Sequence, residues 1–147
     1  MEISYLADHP EFISALAPWM FEHWRPILAQ ETLEARTAKF QAHLNRSRLP
    51  IAWVAHSESQ VFGTAALRVH DLPGREDLTP WLGGVYVAPQ FRGRGIGTAL
   101  CKAAEQKAKS LLETPTLYLF TLDKQEWYRN LGWVCLSRIF GVTVRVT

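Results

Sequence analysis

One stretch of the sequence decides the fold: Val85-Tyr86-Val87-Ala88-Pro89-Gln90-Phe91-Arg92-Gly93-Arg94-Gly95-Ile96-Gly97-Thr98. Its apolar start, its alternating glycines and its apolar end predict a strand, a tight turn and the beginning of a helix. Because glycine has no Cβ, the backbone N–H groups of such a turn can point together into one concavity. The helix adds free N–H groups, and Arg92 and Arg94 add charge-assisted donors. The turn is therefore predicted to bind a phosphate or a pyrophosphate.

Two common phosphate-binding motifs do not fit this turn. A Walker A loop ends in Gly-Lys-Ser or Gly-Lys-Thr, whereas this turn ends in Gly97-Thr98 without a lysine. A dinucleotide-binding turn needs a third glycine three residues after the second, and Leu100 stands there. Such a turn also follows the first strand of its unit, whereas this one lies two-thirds along the chain. The turn therefore serves another phosphate-containing ligand.

Hydrophobic periodicity on both sides of the turn predicts the other elements. The element order is β-α-α-β-β-β-α-β-α-β-β, which makes a single α/β domain over residues 1–147 with a mixed sheet. Asp8 is predicted to cap the first helix, and Pro18 is predicted to end or kink it. The strands are Ile3–Leu6, Ile51–His56, Val61–His70, Trp81–Ala88, Leu117–Leu122, Trp133–Ile139 and Val142–Val146, and the later helices are Glu31–Asn45, Gly95–Leu112 and Lys124–Leu131.

Composition excludes several classes of protein. With 48% hydrophobic and 20% charged residues in 147, the chain is globular rather than disordered. It has no apolar run long enough to span a bilayer and no signal-peptide pattern at Met1, so no membrane partner is expected. Cys101 and Cys135 form no zinc pattern, so no metal is expected and a reduced, cytoplasmic setting fits best. The net charge of +2, without a clustered Lys/Arg stripe, argues against nucleic acid as a partner.

The glycine-rich turn resembles a known family signature. Its residues 92–97 match the Arg/Gln-x-x-Gly-x-Gly/Ala motif of the GCN5-related N-acetyltransferases (GNAT). Leu117–Thr121 is similar to the next strand of that family, and residues 127–133 are similar to its Tyr-x-x-Leu-Gly-aromatic motif. The motifs cover about one third of the chain. The resemblance implies a mostly antiparallel sheet flanked by helices and the transfer of an acetyl group from acetyl-coenzyme A.

The resemblance also implies which residues bind the cofactor. The backbone amides of the turn would hold the pyrophosphate: Arg92, Gly93, Arg94, Gly95, Ile96, Gly97 and Thr98. The backbone of Val85 and Val87 would pair with the pantetheine arm like an extra strand, and an N–H near Tyr86 or Val87 would hold the oxyanion. Asp123 stands where many members have an asparagine that contacts pantetheine.

Two further features bear on the chemistry. Gly83-Gly84 predicts a bulge that separates its strand from the next one and opens a slot for the thioester, and a flexible start of the strand is the alternative. Tyr128 matches the family tyrosine, and a phenol can donate a proton to the leaving thiolate. Aromatic packing beside Trp127 is the alternative role for Tyr128.

The acceptor amine is expected between two connecting stretches, Glu22–Pro26 and Asp71–Trp81. Their acids and broad aromatic faces predict a small cationic amine. The predicted substrate-binding residues are Glu22, Trp24, Asp71, Asp77 and Trp81. Inward packing of the tryptophans and solvation of the acids is the alternative. The general base stays open among Glu22, His23, His70, Asp71, Glu76 and Asp77, and a water relay is also compatible.

The sequence thus predicts an acetyl-coenzyme A-dependent N-acetyltransferase with a primary amine as its acceptor. A non-catalytic acyl-coenzyme A sensor of the same fold and a protein or peptide amine acetyltransferase are the alternatives. Val142–Thr147 is predicted as an edge strand, which would allow a homodimer.

Overall fold

The computed structural model describes residues 1–112, 116–137 and 142–146 and joins seven strands in these ranges into one sheet. The sheet order is β1-β2-β3-β4-β5-β7-β6, and every neighbouring pair is antiparallel except the parallel pair β4 and β5. The predicted mixed, mostly antiparallel sheet is therefore confirmed. The strands are β1 (Glu2–Tyr5), β2 (Ile51–His56), β3 (Val61–Arg68), β4 (Trp81–Val87), β5 (Thr116–Phe120), β6 (Val134–Ser137) and β7 (Val142–Val146).

Four helices complete the described fold: α1 (Ile13–Trp24), α2 (Leu33–Ala42), α3 (Ile96–Leu112) and α4 (Gln125–Asn130). Together with the strands they follow the predicted order. The apolar residues of α1 and α2 pack on one face of the sheet, and those of α3 and α4 pack on the other. Among the helices in the described ranges, none combines the length and the apolar character needed to cross a bilayer.

The prediction that Asp8 caps the first helix is wrong, and so is the prediction that Pro18 ends it. Asp8 lies in a short 3-10 turn, and α1 begins only at Ile13. Pro18 does not end the helix, which continues to Trp24. Proline removes one helical hydrogen bond, but Pro18 is exposed to solvent, as is Ser14 one turn earlier, so water can satisfy the freed carbonyl. The buried face of Leu16 and Met20 keeps the helix on the sheet.

The strand at the end of the chain is not an edge strand. β7 pairs with β5 on one side and with β6 on the other, so β6 forms the edge of the sheet. The prediction that residues 142–147 form an edge strand for a second subunit is therefore wrong for β7. The predicted turn at Phe140-Gly141 lies outside the described residues.

Candidate active site

β4 carries a bulge at the predicted glycine pair. In its register with β3, Tyr86 lies opposite Thr64 and Gly83 lies opposite Ala66. Two residues of β4, Gly84 and Val85, therefore face one residue of β3. Gly84 has φ +58°, a conformation that only glycine adopts without strain. The bulge prediction is confirmed.

The bulge glycines also make room for a charged side chain. A Cβ at Gly84 would lie 2.8 Å from Nη2 of Arg68, and one at Gly83 would lie 2.9 Å from Nη1 of Arg68. The Arg68 guanidinium donates from Nη1 to Asp71 Oδ1 at 2.7 Å and from Nε to His43 Nε2 at 2.9 Å. The Arg68–Asp71 pair thus lies directly on the backbone of the bulge.

His43 is held neutral in this network. Its Nδ1 lies 2.6 Å from the carbonyl oxygen of Lys39, which can only accept, so Nδ1 carries the proton and donates it. Its Nε2 is then free to accept from Arg68. Burial lowers the pKa of His43 to about 4, and the neighbouring Arg68 charge adds to that effect.

β4 and β5 separate beyond their first contact. The two strands pair only at Trp81 opposite Tyr118, and the Tyr118 N–H donates to the carbonyl of Pro80 at 3.0 Å. Beyond this point the β5 side of β4 has no strand partner within the described residues. The Val87 carbonyl accepts there from Nε of Arg92 at 2.8 Å. The bulged strand and its neighbour therefore frame a slot that runs toward the glycine-rich turn.

The glycine-rich turn leads from the slot into α3. Gly93 and Gly95 have φ of +80° and +79°, and a Cβ added to either would meet no atom within 4 Å. The first backbone bond into α3 runs from the Ala99 N–H to the Gly95 carbonyl at 3.1 Å. The amide N–H groups of residues 93–98 donate to no acceptor in the described part of the chain. We call these six amides and their open concavity the cradle.

The cradle fits a pyrophosphate. Free N–H groups at a helix start form the usual site for such an anion, and the glycines leave the approach open. Gly97 has a different role, because a Cβ there would lie 3.2 Å from the indole ring of Trp127. Trp127 of α4 therefore forms a wall of the cradle. The exposed Arg94 adds a charged donor at its rim, with its guanidinium 5.8 Å from the Phe91 ring centroid.

Tyr128 lies in the core cluster beneath α3. Its side chain is 8% exposed, and its ring contacts Trp127 edge-on at 4.8 Å and Trp133 at 6.1 Å. Burial raises the pKa of the phenol well above its usual range, and the Cys101 thiol and the Asp71 carboxylate add smaller effects. Tyr128 therefore keeps its proton at any pH near neutrality. The packing role and the proton-donor role of Tyr128 therefore do not exclude each other.

The sequence and the fold of the chain match known acetyltransferases. Residues 49–135, more than half of the chain, match the family model described as the acetyltransferase (GNAT) domain. The chain belongs to the GNAT family. Its fold is similar to that of aminoglycoside 6'-acetyltransferase type Ii, at 20% identity over 99% of this chain and 97% of that chain, with a TM-score of 0.70.

Two further GNAT-like structures have the same fold. Ribosomal-protein-alanine N-acetyltransferase from Brucella melitensis is 19% identical over 100% of both chains, with a TM-score of 0.72. N-acetylglutamate synthase from Neisseria gonorrhoeae, complexed with coenzyme A and N-acetyl-glutamate, is 19% identical over 99% of this chain and 35% of that chain, with a TM-score of 0.69. These two structures and the aminoglycoside acetyltransferase therefore share their fold with this chain.

The GNAT domain places an aromatic and cationic group above β4, just past the bulge. The Tyr86 ring lies 5.2 Å from the His23 ring and 6.1 Å from the Trp19 ring, measured between centroids. The Arg92 guanidinium carbon lies 5.5 Å from the centroid of the same tyrosine. This group joins the end of α1 to the turn after β4.

Several predicted acceptor residues are not available to a substrate. Trp81 is fully buried, and its Nε1 donates to the Leu78 carbonyl at 2.7 Å, so its predicted cation–π role is wrong. It packs inward because the loop between β3 and β4 covers it, with Leu72 in the same cluster. Asp71 is half-buried and paired with Arg68 on the bulge, whereas Asp77 is exposed and pairs with Arg75 at 3.1 Å on the surface.

The other predicted residues remain open to solvent. Glu22 is exposed at 3.3 Å from Nη1 of Arg25, Trp24 is half-buried against His23, and Asp123 is exposed in the connection before α4. Glu22 and Trp24 share the end of α1 with His23, whereas Asp77 has no described hydrogen bond or ion pair that links it to them. The predicted acceptor residues therefore do not form one cluster.

Sequence reasoning missed Arg68 and His43 at the bulge. Arg68 ends β3 and His43 follows α2, so only the tertiary fold brings them together. The Gly83-Gly84 pair was the available signal, because glycines in a strand indicate close approach of another group.

Proposed function

We propose that this GNAT domain transfers the acetyl group of acetyl-coenzyme A to a primary amine by direct attack of the amine. The observation that carries this proposal is the cradle, in which the six consecutive amides of residues 93–98 have no described acceptor. The cradle lies beside β4, which pairs with β5 only at Trp81. A structural corner with solvated arginines would not need two glycines, Gly93 and Gly95, at positive φ over open space.

The backbone near the slot would hold the rest of coenzyme A. Val85 and Val87 have the extended backbone that pairs with a pantetheine arm. The Val87 carbonyl already accepts one hydrogen bond from Arg92, so the cofactor would either use its second lone pair or replace this guanidinium. A pyrophosphate in the cradle would supply Arg92 with a new, charged acceptor. The exposed carboxylate of Asp123 is the remaining polar group that we assign to the pantetheine side.

The transfer itself would use two groups of the chain. A backbone N–H of the bulged strand near Tyr86 or Val87 would hold the oxyanion. Tyr128 would donate a proton to the leaving sulfur, for which its raised pKa keeps the phenol protonated. Acetyl-coenzyme A supplies the activated acyl group when bound.

The acceptor is proposed as a primary amine. A preference for cationic amines rests on Trp24 and on the exposed carboxylates of Glu22 and Asp77, each of which has a neighbouring arginine. Trp81 is buried, and Asp71 is paired with Arg68 on the bulge. The names of the three structural neighbours indicate an aminoglycoside, a protein alanine and glutamate as their substrates. The fold therefore does not select the acceptor class.

The test is release of coenzyme A, measured with a thiol-detecting reagent, from acetyl-coenzyme A and a panel of amines. The panel contains an aminoglycoside, a peptide that begins with alanine, glutamate, and matched cationic and neutral alkyl amines. We expect turnover with at least one of them and none in Gly95→Asp, whose added carboxylate repels the pyrophosphate. Tight binding of coenzyme A without turnover on any amine would favour the sensor alternative instead.

A further inference from the structure

We propose that His23 is the general base that takes a proton from the acceptor amine. This inference rests on the proposed acetyl transfer. Among the described residues with the right chemistry, His23 combines three properties: it lies at the bulged strand, its ring nitrogens are unbonded, and its imidazole is neutral near pH 7.

The first property is position. His23 lies in the last turn of α1, and its ring meets Tyr86 edge-on at a centroid distance of 5.2 Å. Tyr86 is the second residue after Gly84 in the bulge, on the stretch that offers the oxyanion N–H. The imidazole therefore stands beside the part of β4 where the acyl carbon would be attacked. A general base must lie within hydrogen-bond reach of the attacking amine, and this position allows it.

The second property is freedom from other partners. Each carboxylate among the candidates for the general base already has an ion-pair or hydrogen-bond partner. Glu22 pairs with Arg25, Asp71 with Arg68 and Asp77 with Arg75, and Glu76 accepts from the Gly74 N–H at 3.1 Å. Hydrogen bonding lowers the pKa of Glu76 and of Asp77, which makes each a weaker base. His23, in contrast, has no hydrogen bond to any residue in the described ranges.

The other unengaged candidate is His70, which is exposed at the end of β3. No described hydrogen bond or ring contact joins His70 to β4 or to α1. The comparison of the two histidines therefore favours His23 by location alone.

The third property is the protonation state. Partial burial lowers the pKa of His23, and the positive charges of Arg92 and Lys124 act in the same direction, whereas Asp123 opposes them. These groups come from the turn after β4 and from the connection between β5 and α4. The fourth neighbour is the ring of Tyr86 on β4. His23 is therefore neutral at pH 7 and has a lone pair to accept a proton.

Residues of the chain and the solvent supply or accept every proton that moves in this step. The acceptor ammonium gives one proton to His23, and the neutral amine then forms a C–N bond with the acetyl carbon while the C–S bond breaks. The leaving sulfur takes a proton from Tyr128. His23 releases its first proton to solvent and then accepts the second proton from the amide nitrogen. Tyr128 is reprotonated from solvent, so one proton is released per turnover.

The test is the pH dependence of kcat/KM for the most active amine of the panel, in wild type and in His23→Gln. In wild type we expect an acidic limb that ends below about pH 6.5, the ordinary pKa of histidine, followed by a plateau. In His23→Gln we expect a loss of roughly 10²–10³-fold at pH 7, in the range of general-base effects. The variant should then rise with unit slope up to the pKa of the amine, because only the free amine reacts.

Two controls separate this role from a structural one. His23 is exposed and unbonded, so His23→Gln should keep its melting temperature and its affinity for coenzyme A by calorimetry. His70→Gln makes the same change at the other candidate and should keep the wild-type profile. The inference is overturned if His23→Gln retains the plateau or if His70→Gln removes it. A wild type that turns over no amine would overturn the proposed function, and this inference with it.

Discussion

Replacing Gly95 by alanine should separate the stability of the fold from the binding of coenzyme A. Gly95 has φ +79°, and a non-glycine residue in this conformation costs roughly 1–2 kcal/mol. A Cβ there meets no atom within 4 Å, so no clash adds to that cost. For a domain of this size each kcal/mol lowers the melting temperature by about 2–4 °C. We therefore expect a folded variant that melts about 2–8 °C lower.

The effect on coenzyme A should be larger. The added methyl group occupies the open side of the cradle, where the pyrophosphate would approach the amides of residues 93–98. A hydrogen bond to a charged group contributes about 1.5–3 kcal/mol, so the loss of two raises Kd roughly a hundredfold or more. Titration calorimetry with coenzyme A measures the affinity directly. Thermal shift adds a second readout, because ligand at 100 times Kd stabilises the wild type by about 2.7 kcal/mol.

Gly74 provides a matched control within the same chain. It has φ +90°, and a Cβ there also meets no atom within 4 Å, but it lies in the loop between β3 and β4. Gly74→Ala should therefore reproduce the loss of stability and leave the affinity for coenzyme A unchanged. Wild-type affinity in Gly95→Ala, or an equal loss of affinity in both variants, would refute the assignment of the cradle.

Two further predictions follow from buried groups. Tyr128→Phe should lower kcat about a hundredfold with little change in coenzyme A affinity, whereas Tyr118→Phe should leave kcat unchanged. If Tyr128→Phe and wild type have equal kcat over pH 7–9, Tyr128 has a packing role only. Because the pKa of His43 falls from 6.5 in the unfolded chain to about 4 in the folded one, the unfolded state binds more protons between these values. Stability should therefore fall as pH drops from 6.5 toward 4, by about 2 kcal/mol at pH 5, and urea unfolding should show a smaller loss in His43→Gln.

The sequence predicted the order of the elements and the features that depend on the local backbone. The cradle follows from three glycines within five residues at the start of a helix, and the bulge follows from Gly83-Gly84. Both depend only on the local backbone, because a positive φ or a missing Cβ changes the chain at that residue. The amphipathic helices and the alternating strands likewise follow from periodicities of a few residues. The sequence therefore predicted the open glycine backbone of the turn, and phosphate binding there stays a prediction.

Only the tertiary structure decided which side chains face the site. Trp81 was expected at the acceptor, yet the loop before it folds over it and buries it. His23 of α1 meets Tyr86 of β4, and Arg68 of β3 reaches His43 after α2, although neither pair is close in sequence. Local patterns fix the shape of the backbone, but the burial and the partners of a side chain depend on which distant segments pack against it.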